Sequence, residues 1–320
     1  MGENTKTMKV HQNIVINGVD YGDHKSRKSS KFCNEGKWNT FILPLLPKDS
    51  KDMTFIELGS NAGLYLRMAE DYGFHTVIGL ENDPNAHSMA VQYRDSLRMK
   101  FTPILGTYSE QYPYDFPLAD VTLLANFHYH LRMQDFPSLL NNLEWKTRYC
   151  IIVSVRNVNV HWMVDPKVEA VRRYFKDWKE VGFVSKSFKK DPHPRKGMYG
   201  ICFESQLKRI PLVDLRRPDG KELQYSNAFS NFIRKTANHE SFNMERNLYF
   251  RKVHHQKIKK MAYEDIQAYV IRRQNMILDI IEKGQKSPII VNAENQVLDG
   301  GLRISVARAL GYTSIIGRVL

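Results

Sequence analysis

Between residues 53 and 204 the chain alternates short, nearly uninterrupted apolar segments with stretches whose apolar residues recur at helical spacing. Apolar runs of about four to six residues are typical of strands that are buried on both faces of a parallel sheet. The segments predicted as strands read MTFIELG, HTVIGLE, FTPILG, DVTLLANF, YCIIVSV, GFVSKSF and MYGICFE. The pattern therefore predicts an α/β fold with a doubly wound, mostly parallel sheet.

Turn-forming residues mark both ends of this region. The last two predicted strands, around Val184 and Tyr199, are separated by DPHPRKG, which favours a hairpin. Before the first strand, WNTFILPLLPKDSKD predicts a cap helix that is stopped by Pro44 and Pro47.

The periodicity weakens after Glu204 and returns from His255. The intervening sequence holds prolines and many charges, as connectors do. Beyond it the pattern predicts a long helix, a strand, a turn, a short strand, a helix and a final strand. We therefore expect a first domain with an N-terminal cap over residues 1–208, a connector over 209–250 and a smaller α+β domain over 251–320.

The sequence FIELGSNAGLYLRM ends a predicted strand at Glu57, turns through Gly59 and Gly63, and opens a helix. Glycines let the backbone approach a ligand closely, and the N–H groups at a helix N-terminus can hold a carboxylate or phosphate. The next strand ends at Glu81, a position from which an acid accepts hydrogen bonds from ribose hydroxyls. A dinucleotide is the weaker alternative ligand, because the spacing G-S-N-A-G lacks the third glycine of G-x-G-x-x-G.

The region from about residue 38 to residue 204 resembles class I S-adenosylmethionine-dependent methyltransferases. Their first motif reads roughly E/D-x-G-x-x-x-G and their second strand ends in an acid, and FIELGSNAG and GLEND match both. The resemblance implies a Rossmann-like fold and S-adenosylmethionine as the cofactor. It places the methionine end at the glycine loop, the ribose at Glu81, and the adenine near Asn82, Thr107 and Tyr108. The predicted cofactor-binding residues are Glu57, Gly59, Ser60, Asn61, Gly63, Glu81, Asn82, Thr107, Tyr108, Asn126 and Phe127.

The fourth strand runs into LLANFHYHLRM, and its carboxyl end should face the ligand. His128 and His130 are the candidate catalytic residues, because imidazole titrates near neutrality and can act as a general base towards a hydroxyl. The DPPY or NPPY signature of amino-methylating DNA and RNA enzymes is absent, and no cysteine lies near this strand as cytosine C5 methylation would need. Methyl transfer to oxygen is therefore the predicted chemistry.

The same segment, with Tyr129 and His130, also resembles a subgroup near tRNA wobble-uridine carboxymethyl-transfer proteins and sugar or glycan O-methyltransferases. The formal net charge of +13 implies attraction to polyanions. The positive charge gathers at residues 24–31, 189–195 and 251–260. We predict an anionic acceptor, a glycan or phosphorylated sugar, and keep two alternatives open: a nucleic-acid acceptor, and a noncatalytic adaptor that binds the cofactor only for structure.

Near the C-terminus, QVLDGGLRIS places an acid, two glycines and an arginine at the start of a predicted helix. Backbone donors and a guanidinium together suit a phosphate group, although a plain D-G turn that caps a helix has the same sequence. Residues from about 257 to 320 resemble the ParB/sulfiredoxin-like fold, whose members carry D-G-x-x-R after P-I-x-V. The resemblance implies nucleotide or DNA binding, with ATP or CTP and Mg²⁺ as candidate ligands. The predicted phosphate-binding residues are Asp299, Gly300, Gly301 and Arg303.

In that fold a histidine usually precedes the arginine, and Leu302 stands there in this chain, which favours binding over phosphoryl transfer. The three cysteines form no C-x-x-C pair, so neither a disulfide framework nor a metal site is predicted. No apolar run reaches the roughly 18–20 residues of a membrane span, and the expected location is the cytoplasm. These patterns do not specify an oligomeric state.

Overall fold

The computed structural model describes residues 10–12, 14–22, 34–108, 116–155, 164–187, 197–221, 223, 227–240, 248–257 and 261–320. The basic clusters at 24–31 and 189–195, and the last three residues of the cluster at 251–260, lie outside the described residues. The chain forms two compact units. The first comprises Met1–Tyr114 and Ala119–Ser205, and the second comprises Asp115–Leu118 and Gln206–Leu320.

The first unit opens with a small antiparallel hairpin of β1 (Val15–Ile16) and β2 (Val19–Asp20). Asn17 and Gly18 join the strands with φ of 49° and 80°, the left-handed pair that type I′ hairpin turns require. Three apolar side chains of this segment are buried in the main core of the unit: Val10, Ile14 and Ile16.

Short helical turns follow where a cap helix was predicted. They are α1 (Asn34–Lys37), a π-helical turn (Trp38–Ile42) and a 3₁₀ turn (Leu43–Leu45). The backbone becomes extended at Leu46, so the helical segment ends between Pro44 and Pro47, the two prolines predicted to stop it. In place of one cap helix the structure thus has a short α-helix, a π-helical turn and a 3₁₀ turn.

The centre of the first unit is a mostly parallel sheet. Over the described residues it has seven strands in the order β5-β4-β3-β6-β7-β9-β8, and only β9 runs against its neighbours. The strands are β3 (Thr54–Leu58), β4 (Thr76–Glu81), β5 (Thr102–Leu105), β6 (Ala119–Ala125), β7 (Thr147–Val155), β8 (Lys179–Ser187) and β9 (Gly197–Glu204). This mostly parallel sheet with its connecting helices confirms the α/β prediction for this unit, and β8 and β9 form the predicted antiparallel pair.

Over the described parts of their connections, four helices lie between these strands: α2 (Leu64–Tyr72), α3 (Pro84–Leu97), α4 (Phe136–Lys146) and α5 (Val168–Tyr174). Local sequence explains where α3 begins, because the Asp83 carboxylate accepts from the main-chain N–H of Asn85 and Pro84 occupies the first helical position. After β3 the chain adds β4 and then β5 on one side of β3. It then returns to the other side of β3, where it adds β6 and β7. The carboxyl ends of β3, β4 and β6 therefore surround a switch point, where open α/β sheets bind their ligands.

The second unit has a four-stranded sheet over its described residues, in the order β10-β13-β11-β12. Its strands are β10 (Leu207–Pro211), β11 (Ile289–Val291), β12 (Val297–Asp299) and β13 (Ser314–Val319). Its helices are α6 (Asn227–Ala237), α7 (Leu248–Lys257), α8 (Tyr263–Lys283) and α9 (Gly301–Ala309). The last strand, β13, is internal: it pairs antiparallel with β10 and parallel with β11.

The range 209–250, predicted as a connector, contains part of a strand and a whole helix of this unit. Most of β10 lies in it, and so does the whole of α6. Phe232 and Ile233 of α6 are buried in a hydrophobic cluster with side chains of α7, α8 and α9. Around β10 the apolar residues are interspersed with charges and prolines, so neither a strand nor a helix period stands out, yet Ile210, Leu212 and Leu215 are buried. Among the described residues no helix is both long enough and apolar enough to cross a membrane.

Candidate functional site

The loop after β3 is built from left-handed residues. Gly59, Asn61 and Gly63 have φ of 76°, 48° and 82°. Glycine adopts this conformation without strain, and asparagine tolerates it better than most residues. The main-chain N–H groups of Gly59 and Ser60 donate to the carbonyl of Leu80, at 2.8 and 3.0 Å. The loop is thereby tied across the carboxyl end of β4.

Glu81, the last residue of β4, is buried and holds that loop from the other side. Its Oε2 accepts from the main-chain N–H of Asn61 at 2.7 Å, and its Oε1 accepts from those of Asn82 and Asp83 at 2.9 Å each. A carboxylate offers about four lone-pair positions. Glu81 is therefore fixed in place and retains capacity to accept a hydrogen bond from a ligand hydroxyl.

Glu57 is the most unusual side chain of the site. It is 1% exposed, and neither carboxyl oxygen has a hydrogen-bond partner among the described residues. Burial, and secondarily the charge of Glu81, raise its pKa well above the ordinary value. Leaving a buried carboxyl group without a partner is costly. A cationic or hydrogen-bond-donating group bound beside Glu57 would remove that cost.

Residues that follow β5 and β6 meet the glycine loop. The Phe127 ring lies so close to Gly59 that a Cβ atom on Gly59 would be 2.8 Å from its Cδ2. The same ring packs edge-on against Tyr108, with centroids 5.9 Å apart. Asn126 is left-handed, donates from its main-chain N–H to the carbonyl of Val153 at 2.8 Å, and has a buried Oδ1 without a partner. The structure thus brings predicted cofactor residues from three strands to one place.

The remaining predicted cofactor residues take different positions. Asn82 is exposed at the end of β4, and Thr107 is half-buried after β5. Ser60 is buried, with a hydroxyl that lacks a partner. A Cβ atom on Gly63 would lie 3.2–3.3 Å from Phe101 and Ala90, so this glycine serves close packing behind the loop.

The two candidate catalytic histidines share the 3₁₀ turn His128–His130, but their environments differ. His128 is fully buried, and burial together with the charge of His130 lowers its pKa to about 3. It is therefore neutral near pH 7 and a weak base. His130 is exposed and is the histidine of this turn that can meet a substrate.

Gln12 is part of the site and was missed from the sequence. This buried side chain accepts at Oε1 from the main-chain N–H of Leu64, in the first turn of α2, at 2.8 Å. Its main-chain N–H donates to Asn61 Oδ1 at 3.3 Å. The helix N-terminus expected to hold a ligand carboxylate or phosphate therefore has one donor already taken. No local motif points to Gln12, because its partners lie about fifty residues away.

In the second unit the predicted D-G-x-x-R residues also come together. Arg303 Nη1 donates to the carbonyls of Ser287 and Pro288, and Nη2 donates to Asp299, at 2.8 Å each. Gly300 is left-handed and is the N-cap of α9, with no side-chain cap. The guanidinium therefore joins the end of β12 to the segment that precedes β11. Leu302 packs against the hydrophobic cluster of the helices.

No family model and no curated protein matches the sequence. Solved structures with a similar fold include TehB from Haemophilus influenzae, with 12% identity over 48% of this chain and 58% of that one and a TM-score of 0.41. Magnesium protoporphyrin IX methyltransferase (ChlM) from Synechocystis PCC 6803 with bound SAH has 10% identity over 49% and 75%, with a TM-score of 0.41. N-methyltransferase NodS from Bradyrhizobium japonicum WM9 has 13% identity over 57% and 98%, with a TM-score of 0.42. The match thus spans less than two thirds of TehB.

Proposed function

We propose that the first unit is an S-adenosylmethionine-dependent methyltransferase. The observation that carries the proposal is the pair of buried carboxyl groups at the carboxyl ends of adjacent strands, Glu57 without a partner and Glu81 held by three N–H groups. S-adenosylmethionine carries an ammonium and a sulfonium, which such a pair stabilises. The competing dehydrogenase hypothesis is disfavoured because the loop G-S-N-A-G lacks the third glycine of G-x-G-x-x-G.

Each predicted residue has a role in this proposal. Glu57 and the glycine loop hold the amino-acid end of the cofactor, and Glu81 accepts from the ribose hydroxyls. Phe127 forms a wall against the loop, as its contact with Gly59 supports. The adenine lies near three residues at the ends of β4 and β5: Asn82, Thr107 and Tyr108.

The bound cofactor supplies an electrophilic methyl group on sulfur. The protein's contribution is to align the acceptor atom in line with that methyl group and to exclude water, and such alignment accounts for much of the rate in displacement reactions. His130, exposed on the turn after β6, accepts the proton of an acceptor hydroxyl. A buried imidazole with a pKa of about 3 is too weak a base for that step, so we assign His128 a structural role in the turn and not a catalytic one.

The acceptor we propose is an oxygen of an anionic glycan or phosphorylated sugar. The excess of positive charge on the chain favours an anion, and a histidine base suits a hydroxyl. A nucleic-acid acceptor is the second candidate, favoured by the same charge. Steeply salt-dependent binding that also discriminates sequence would distinguish it.

For the second unit we propose a ParB/sulfiredoxin-like module that binds a phosphate group or nucleotide where α9 begins. Gly300, the N-cap of α9, is left-handed and makes no side-chain cap hydrogen bond, and the first-turn N–H groups of such a helix are donors that an anion can use. Arg303 supports this turn through its three hydrogen bonds. Titration of ATP and CTP, with and without Mg²⁺, into wild type and Arg303→Ala tests the module, and unchanged binding in the variant would contradict it.

Calorimetric titration of S-adenosylmethionine and S-adenosylhomocysteine into the wild type and Glu81→Ala tests the methyltransferase proposal. We expect the wild type to bind both and the variant to lose binding by at least about tenfold, because charge-assisted hydrogen bonds contribute about 1.5–3 kcal/mol. Glu35→Ala is the matched control, since Glu35 is an exposed acid on α1. A wild type that binds neither compound would overturn the proposal.

A further inference from the structure

The N-terminal hairpin segment lies directly on the ligand loop of the first unit. Gln12 makes two hydrogen bonds to the loop and the helix that follows it: its Oε1 accepts from Leu64 N, and its main-chain N donates to Asn61 Oδ1. Gln12 is only 6% exposed. A buried amide side chain needs hydrogen-bond partners, because leaving it unpaired costs free energy. The Gln12 carbonyl has such a partner in Leu64 N, at the start of α2.

The contact extends from Gln12 to the ribose-binding carboxylate. Asn61 accepts from Gln12 through its side chain and donates from its main-chain N–H to Glu81 Oε2 at 2.7 Å. Asn61 is left-handed, with φ of 48°, and a non-glycine residue keeps this conformation when its surroundings hold it there. Gln12, Asn61 and Glu81 therefore form a continuous chain of hydrogen bonds.

The segment that carries Gln12 is itself firmly held. Val10 N donates to the carbonyl of Tyr21, and Tyr21 N donates to that of Ile14, at 3.0 Å each. Ile14 and Ile16 are buried in the same core cluster as Leu64. Gln12 is thus presented to the loop by a closed hairpin whose apolar residues are anchored in the core.

We propose that Gln12 is a positioning and specificity-determining residue of the cofactor site. It acts through Asn61 to hold Glu81 where the ribose hydroxyls bind. By occupying Leu64 N it also withdraws a helix N-terminal donor from any phosphate, so the site favours a cationic nucleoside over nucleotides with a pyrophosphate. This inference rests on the proposed methyltransferase function.

The test compares wild type with Gln12→Ala, Gln12→Glu and Ile16→Val. Gln12→Glu keeps an acceptor oxygen for Leu64 N, and Ile16→Val loosens the packing of the same hairpin without touching a hydrogen bond. The measurements are S-adenosylhomocysteine affinity by calorimetry, melting temperature and, once an acceptor is known, KM for S-adenosylmethionine against kcat. We expect Gln12→Ala to weaken binding and raise KM about tenfold with kcat nearly unchanged. Ile16→Val should bind like wild type, and Gln12→Glu should bind more tightly than Gln12→Ala because it keeps the acceptor for Leu64 N.

The outcomes separate the two proposals. A wild type that does not bind S-adenosylhomocysteine overturns the proposed function. A wild type that binds, with Gln12→Ala binding equally well, overturns the role of Gln12 alone. Equal losses of affinity in Gln12→Ala and Ile16→Val also overturn it, because they would show that any disturbance of the hairpin has the same effect.

Discussion

Three predicted cofactor residues contain buried polar atoms without a hydrogen-bond partner among the described residues. They are Glu57, Ser60 and Asn126, and all three lie at the carboxyl ends of β3 and β6. Folded proteins satisfy nearly all their buried polar groups, and a ligand bound at this edge of the sheet would supply partners for these three. The sequence predicts these residues through the glycine-loop motif and the end of the fourth strand.

Glu57→Gln should separate the stability of the fold from cofactor binding. The pKa of Glu57 is raised, so the folded protein binds this proton more tightly than the unfolded chain, and the wild type loses stability as the pH rises above the ordinary value of 4.5. The amide does not titrate. We expect the variant to be more stable than wild type at pH 7–8, with the difference shrinking towards pH 4.5, and to bind S-adenosylhomocysteine at least about tenfold more weakly. Urea unfolding at several pH values and calorimetry measure both effects.

Gly59→Ala tests the contact between the glycine loop and Phe127. Gly18→Ala is the matched control, because Gly18 has a similar φ of 80° but a Cβ atom there would meet nothing within 4 Å. Both variants incur the left-handed strain of about 1–2 kcal/mol, and only Gly59→Ala also clashes with Phe127. We expect Gly59→Ala to lower the free energy of unfolding by about 1–3 kcal/mol more than the control. Equal losses in urea denaturation would contradict the contact.

At the scale of elements, the inner strands β3, β4, β6, β7 and β9 of the first sheet were predictable because they are largely buried and each is a nearly continuous apolar run. The β1–β2 hairpin was not predicted, although Asn17-Gly18 between apolar residues is a direct signal for it. The strand β10 and the helix α6 were also missed. Gln12 could not be found from local pattern, because its role depends on partners brought close only by the fold.

The turn after β6 gives a prediction about acid stability. The unfolded chain binds a proton at His128 below its ordinary pKa of 6.5, whereas the folded chain resists protonation until about pH 3. Stability should therefore fall as the pH drops from 6.5 towards 3, by up to about 1.4 kcal/mol per pH unit from this group. His128→Gln should flatten that dependence in urea unfolding between pH 6.5 and 4. A variant with the same pH slope as wild type would contradict the assignment.

At the scale of the whole molecule, composition indicated an anionic partner, and the sequence pattern indicated two folded parts. The sequence pattern could not indicate that Asp115–Leu118, between β5 and β6, belongs with the second unit. Phe116 and Leu118 are buried there, and Leu118 N donates to the carbonyl of Gln285. A four-residue segment is too short for any periodic pattern to assign it.

The net charge predicts how the protein responds to polyanions. We expect single-stranded RNA and heparin to bind with similar affinity at low salt, and RNA binding to weaken by about 300-fold or more between 50 and 200 mM salt if six or more charges are neutralised. Fluorescence anisotropy with labelled RNA, with heparin as competitor, measures this. RNA binding that persists at 200 mM salt and depends on sequence would contradict a glycan acceptor and favour the nucleic-acid alternative.

The internal position of β13 has a consequence for synthesis. During translation β10 emerges about a hundred residues before the strand with which it pairs, from Leu207 opposite Arg318 to Pro211 opposite Ser314. Until then one edge of β10 has no native partner, and closing such a long loop is slow. Newly made chains thus pass through a period in which chaperones or other nascent chains can bind the open edge of β10. Deleting Ser314–Val319 would remove an internal strand of the second sheet.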